Sequence, residues 1–263
     1  MNANVAINGP GADVLAIDAN AASEVFHVTS IGPVTISDLT IRNGHGNFGG
    51  GILNSNGGTL TIINSTVSGN AGGFGGGIYN SGTLTIVNST LSGNMAGADG
   101  AGVYNANTLT ITNSTFSGNA AHGSGGACIN GMMLLITNST LSGNSAMTFA
   151  GGVYNIGTVQ IGSSVLKRGD SGANISNGGG GTVMSFGYNV CSDDGSGFLT
   201  GPGDQINTDP LLGLLQNNGG PTFTHALLLG SPAIDAGDPA FTPPPFFDQR
   251  GPDFSREIGR AHV

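Results

Sequence analysis

The sequence predicts an all-β solenoid, a parallel β-helix of short stacked coils with an irregular C-terminal cap. Three observations carry this. Near copies of one phrase recur: "GGIYNSGTLTIVNSTLSGN" at Gly76–Asn94 is followed by "GAGVYNANTLTITNSTFSGN" at Gly100–Asn119, and the aligned Asn64, Asn88, Asn113 and Asn138 stand 24, 25 and 25 residues apart. Each copy alternates polar and apolar residues, as in "GTLTI" at Gly82–Ile86, a period of two that fits a half-buried strand and not a helix. Gly and Asn punctuate the strands where turns belong. The 49 glycines would also suit a flexible low-complexity chain, but such a chain keeps no strict apolar register.

Taken in order, Asn4–Ile7 gives a partial first coil and "VTISDLTI" at Val34–Ile41 an early complete one. The regular copies then follow, each with three short strands, for example Gly77–Asn80, Thr83–Ile86 and Ser89–Gly93. Stacking places equivalent residues about 4.8 Å apart. The apolar columns Ile52, Ile78, Val103, Cys128, Val153 and Val67, Leu91, Phe116, Leu141 point inward, as do Leu60, Leu84, Leu109, Leu134 and Ile62, Ile86, Ile111, Ile136. The few aliphatics of a single coil cannot offset the entropy of ordering its chain, so each coil needs its neighbours. Gly157–Leu166 reads as a degraded coil and Gly181–Val190 as the last one, giving seven or eight coils roughly 35 Å long in all.

The expected organisation is therefore a solenoid over residues 1–190 and an irregular cap over 191–256, laid across the open end to shield the terminal rung. The tail "EIGRAHV", Glu257–Val263, reads as the translation of a sequencing adapter, which would make both termini artificial. The four Asn-Ser-Thr triplets beginning at Asn64, Asn88, Asn113 and Asn138 match the glycosylation acceptor pattern. The favoured reading is structural: this column, and Asn70, Asn94, Asn119, Asn144, bond up and down the stack at the corners.

Composition narrows function. Six Lys plus Arg against 15 Asp plus Glu give a net charge of −9, which argues against nucleic acid and anionic membrane surfaces as partners. Only 8% of residues are charged, far below the usual quarter. No apolar run reaches membrane-spanning length, and Met1–Pro10 lacks the regions of a secretory signal. Cys128 and Cys191 have no partner at metal spacing; Cys128 reads as a buried thiol. His45 and His122 fall in corner loops without a second ligand at metal spacing, and "GGFGGGIYN" has Gly77 where a calcium-binding repeat needs Asp, so no metal or cofactor is expected. The "RGD" at Arg168–Asp170 is too short to carry weight, and "DDGSG" at Asp193–Gly197 reads as a solvated turn.

Enzymes that cleave polysaccharides need clustered carboxylates, or a basic residue beside a cation. Between Asn43 and Leu166 the sole carboxylate is Asp99, with no Lys or Arg. Only the region of Lys167, Arg168, Asp170, Asp193 and Asp194 leaves room for such chemistry. Two outward columns are the candidate binding surfaces instead. Leu53, Tyr79, Tyr104, Ile129 and Tyr154 form a stripe able to stack on sugar rings or dock a protein, unless a corner loop covers it. Thr66 with Ser68, Thr90 with Ser92, Thr115 with Ser117 and Thr140 with Ser142 form a hydroxyl lattice, which resembles ice-binding surfaces of other β-solenoids.

"GGGI" at Gly75–Ile78, "GGAC" at Gly125–Cys128 and "FSGN" at Phe116–Asn119 resemble the GGA[ILV] and FxxN repeats of polymorphic outer-membrane proteins. "VSGN" and "LSGN" depart from that pattern at the aromatic. The run Thr208–Gly237 is similar to the choice-of-anchor Q domain of surface-anchored bacterial proteins. These resemblances imply a right-handed coil, export from a bacterium and an adhesive role toward glycans or cell-surface proteins, as a monomer located outside the cell or on its surface. They imply no catalytic residue. His225, within "THALL", reads as structural. The alternatives are a polysaccharide lyase or hydrolase and an ice-binding protein.

Overall fold

Residues 4–29, 32–240 and 246–254 are described by a computed structural model, and the tail 257–263 lies outside them. Three parallel stacks of strands wind up one solenoid. Sheet A has eight strands, among them Thr59–Ile63, Thr83–Val87 and Thr108–Thr112, and sheet C has seven, among them Ile52–Asn54, Ile78–Asn80 and Val103–Asn105. Sheet B contains Thr40–Arg42, Thr66–Ser68, Thr90–Ser92, Thr115–Ser117 and Thr140–Ala146. Pairing is in register, Leu84 lying between Leu60 and Leu109, and Ile78 between Ile52 and Val103. Each coil but the last thus has the three expected strands. A short additional stack, His45–Phe48, Ala71–Phe74, Met95–Ala96 and Ala120–Ala121, runs beside sheet B and merges with it at Thr140–Ala146.

The four inward columns form one continuous buried cluster that includes Phe116 and Cys128. Period-two alternation explains it, since every second residue of a strand meets its equivalent from the coils above and below. Burial pushes the Cys128 thiol far above its usual range and Cys191 up to about 12, so both stay protonated.

Polar ladders seal the corners. Asn64, Asn88, Asn113 and Asn138 adopt left-handed φ of 47°, 50°, 55° and 52°, the conformation that Asn tolerates best among residues with a Cβ. Asn64 Nδ2 donates down the stack to Asp38 Oδ1 at 3.1 Å and Asn113 Nδ2 to Asn88 Oδ1 at 2.7 Å, and the next residue adds a continuous chain of bonds. The backbone N–H groups of Ser65, Ser89, Ser114 and Ser139 donate to the hydroxyls of Ser89, Ser114, Ser139 and Ser164 at 3.1–3.2 Å. At the next corner the Nδ2 groups of Asn70, Asn94 and Asn119 donate to Oδ1 of the following rung at 3.0, 2.9 and 2.8 Å. A third ladder joins Asn54, Asn80, Asn105, Asn130, Asn155 and Asn177 in the same sense, at 2.7–2.8 Å. It was not among the sequence expectations.

The C-terminal region corrects one expectation. Residues from Cys191 to Leu199 do close the last coil: Phe198 and Leu199 pack on the core, and the Ser196 hydroxyl donates to Ile175 O at 2.6 Å. Residues 205–208 then lie on the terminal rung as expected of a cap, Gln205 bridging Val190 in parallel while Cys191 N–H donates to Gln205 O at 2.8 Å and Thr208 N–H to Cys191 O at 2.9 Å; from Asp209 onward, however, the chain turns back along the flank of the solenoid. Two antiparallel strands, Leu212–Gln216 and Thr224–Leu227, belong to this returning strap. The Thr224–Leu227 strand and its neighbours bond sheet B residues of coils far from the last one. Leu212, Leu227 and Ala233 pack with Val165 and Val190.

Candidate functional site

Sheet B shows what the strap does. Thr90 Oγ1 donates to Phe223 O at 2.6 Å, Thr115 Oγ1 to Gln249 Oε1 at 2.7 Å, and Gln249 Nε2 to the hydroxyls of Thr90 and Thr222, each at 2.8 Å. The imidazole of His225 lies between Ser117 Oγ, 3.0 Å from Nε2, and Gly213 O, 2.7 Å from Nδ1. A carbonyl can only accept, so Nδ1 carries the proton of the neutral ring and Ser117 donates to Nε2. Thr90, Thr115, Thr140, Ser117 and Ser142 are buried. The continuous exposed hydroxyl lattice read from the sequence therefore does not exist: its Thr90, Thr115 and Thr140 rungs face the strap. Alternation correctly turned them out of the core, but cannot distinguish water from a second layer of chain.

The lattice stays open where the strap stops. A groove of about 340 Å³ is lined by Ala12, Asp13, Thr40, Arg42, Thr66, Ser68, Thr90, Ser92 and Pro221–Phe223. Thr66, the one predicted lattice threonine that is not buried, lies on its floor.

On the edge where sheet C meets the short additional stack, Tyr79, Tyr104 and Tyr154 are half-buried. Phenylalanines from the preceding corner pack beside them. Tyr79 and Tyr104 are 5.0 Å apart at 10°, Phe48 and Phe74 5.8 Å apart at 14°, and Phe48 meets Tyr79 and Phe74 meets Tyr104 edge-on at 5.1 and 5.5 Å. Parallel rings that close must overlap with an offset, so the tyrosines spend much of their faces on each other. Phe149 and Tyr154 form a second pair, 4.7 Å apart at 8°. Phe48 and Phe149 are 44% and 50% exposed, the most exposed rings of the two clusters. Ile129 is buried, which breaks the predicted stripe.

Between the two clusters the corner position of Phe48 and Phe74 is taken by Asp99 and Ser124, whose carbonyls accept from Gly75 and Gly100 in the same ladder. Asp99 Oδ1 accepts from Ser124 N at 2.7 Å. Burial, then Tyr79 and Asp99, raise the Tyr104 phenol above its usual range. The ribbon is thus aromatic, then anionic, then aromatic, and Phe48, Phe74 and Phe149 are the members that sequence reasoning missed. Each precedes a Gly or Ala at the head of a copy, a positional signal outside any alternating strand.

Residues 17–140 match the family model described as a right-handed β-helix region. The chain is a right-handed parallel β-helix. No curated protein and no solved structure matches it at a significant level.

The other residues singled out in the sequence are engaged separately. Lys167 pairs with Asp209 at 3.0 Å, Arg168 Nε donates to Gly172 O at 2.8 Å, and Asp193 accepts from the backbone of Asn174 and Gly195. Asp194 caps Ser196 N at 2.8 Å. His45 and His122 line a shallow surface with Met95 and several glycines.

Proposed function

We propose that this β-helix is a non-enzymatic scaffold, secreted or held on a bacterial surface, that binds glycan along the aromatic ribbon. The carrying observation is the pair of partly exposed aromatic clusters, Phe48–Phe74–Tyr79–Tyr104 and Phe149–Tyr154, fixed on one edge of a rigid solenoid. Aromatic rings with free flanks pack against the C–H faces of sugars, and the carboxylate of Asp99 between them can accept from sugar hydroxyls. Coils set the two clusters at fixed multiples of about 4.8 Å, which suits an extended repeating ligand lying along the axis. The resemblance of the repeats to polymorphic outer-membrane proteins and of Thr208–Gly237 to choice-of-anchor Q domains supports an exported, adhesive role. The scarcity of charge along the regular coils supports a wall that binds by shape and not by acid–base chemistry.

A glycan array probed with the full chain tests this reading. Binding should be lost in the Tyr79→Ala, Tyr104→Ala, Tyr154→Ala triple variant, and weakened by Phe48→Ala with Phe149→Ala, which removes the most exposed rings. Binding unchanged in both variants, or release of unsaturated or reducing sugars from uronate polymers, would overturn it.

A further inference from the structure

The groove where the strap ends is a second site, on a different face from the ribbon. Its floor is built from two columns of sheet B, Thr40, Thr66, Thr90 and Arg42, Ser68, Ser92, paired in register. Rungs repeat about every 4.8 Å. Of the floor hydroxyls, Thr40 donates to Ala12 O at 2.6 Å and Thr90 to Phe223 O at 2.6 Å, which ties both end walls to the floor. The hydroxyls of Thr66 and Ser68, on the rung between them, and of Ser92, beside Thr90, are half-buried and have no hydrogen-bond partner among the described residues. Three adjacent hydroxyls, each able to donate and accept, are thus left unused in a preformed trough. On the next rung of the same lattice such groups are taken by the strap, Thr115 by Gln249 and Ser117 by His225.

We propose that this trough binds a neutral saccharide, one or two pyranose rings seated end-on against Phe223. A polyol matches the floor because its hydroxyls also donate and accept, so each contact can form in either sense. Phe223 is 48% exposed at one end of the trough and offers an apolar surface for ring C–H groups. Charge selects against anions: Arg42, the one cation of the lining, is already paired with Asp18 at 2.9 Å, and Asp13 adds a carboxyl group to the lining. The volume lies at the small end of the usual range for small-molecule sites. The site stands independently of the ribbon, whose residues it does not share.

Backbone amide NMR of the full chain, titrated with cellobiose, lactose and mannobiose and separately with digalacturonate, tests this. At least one neutral disaccharide should shift the amides of Thr66, Ser68, Ser92 and Phe223. The Thr66→Val, Ser68→Ala double variant should lower its affinity about tenfold or more, the equivalent of two lost hydrogen bonds. The triple tyrosine variant of the ribbon should leave those shifts intact. Ser92→Ala, a smaller change at the surface, repeats the test if the double variant loses its folded spectrum. No shift with any neutral disaccharide, tighter binding of digalacturonate, or shifts unaffected by either groove variant would overturn the assignment. Loss of array binding in the ribbon variant with groove shifts retained would separate the two sites.

Discussion

Asn105 sits midway in a ladder of buried amides, and the direction of that ladder decides what its loss costs. Each Nδ2 donates toward the next coil, so removing Asn105 takes from Asn130 Oδ1, a buried acceptor, the one donor it has among the described residues. Asn80 loses less, because its Nδ2 still reaches Gly82 O and Thr108 O. Asn54 is different: its own Oδ1 already lacks a donor, Val28 stands beneath it, and Asn80 Oδ1 would keep the Gly82 N–H. Asn105→Val should therefore destabilise by about 1–3 kcal/mol more than Asn54→Val in urea unfolding, the cost of one orphaned buried group. His225 gives a prediction in pH. Burial holds its folded pKa below the unfolded value of 6.5, with the Lys167 charge adding to the shift and the Gly213 bond opposing it. The proton is then bound more weakly by the folded chain, so the stability this histidine contributes is complete above about pH 6.5 and lost as pH falls through the folded value. Thermal melts should show a loss between neutral and mildly acid pH that His225→Gln reduces.

At the scale of the element, Gln249 is the pin that fastens the strap, bonding Thr90, Thr115 and Thr222 from one side chain. Gln249→Leu removes several buried hydrogen bonds worth about 1 kcal/mol each. Limited proteolysis should then cut faster in the strap, by tenfold or more at about 2 kcal/mol, while the far-ultraviolet circular dichroism of the solenoid stays unchanged. The sequence made the inner strands legible because two signals coincided, alternation within a strand and repetition between strands. It also held a signal for the third ladder: Asn80 follows Ile78 by two residues and must share its inward face, and the same polar intrusion recurs in successive copies. The strap was not legible. Its contacts join residues 133 and 159 positions apart through single side chains, and neither periodicity nor composition marks a threonine that will meet chain and not water. The corner phenylalanines were missed because they stand outside the strands, where period two has no meaning.

For the whole molecule, stability is shared between neighbouring coils, so its ends are its weakest parts. Among the described residues Val5–Asn8 pairs on one side, with Pro33–Ser37, whereas Thr108–Thr112 is bonded on both sides and lies deep in the stack. Hydrogen exchange should accordingly be fastest in the first coil and slowest around Leu84–Ile136, and Leu109→Ala should cost about 2–5 kcal/mol. Equal protection along the axis would contradict this. One consequence concerns how such a chain could change over generations. The trough is bounded by a turn of the first coil and by a strap fastened at Thr90 and Thr115, so its length is counted in rungs. Duplicating the genetic unit that encodes Ser65–Asn88 would insert one storey between those walls, widening the gap by about 4.8 Å while leaving every wall residue as it was. A longer occupant could be accommodated by copying, without inventing a single new contact.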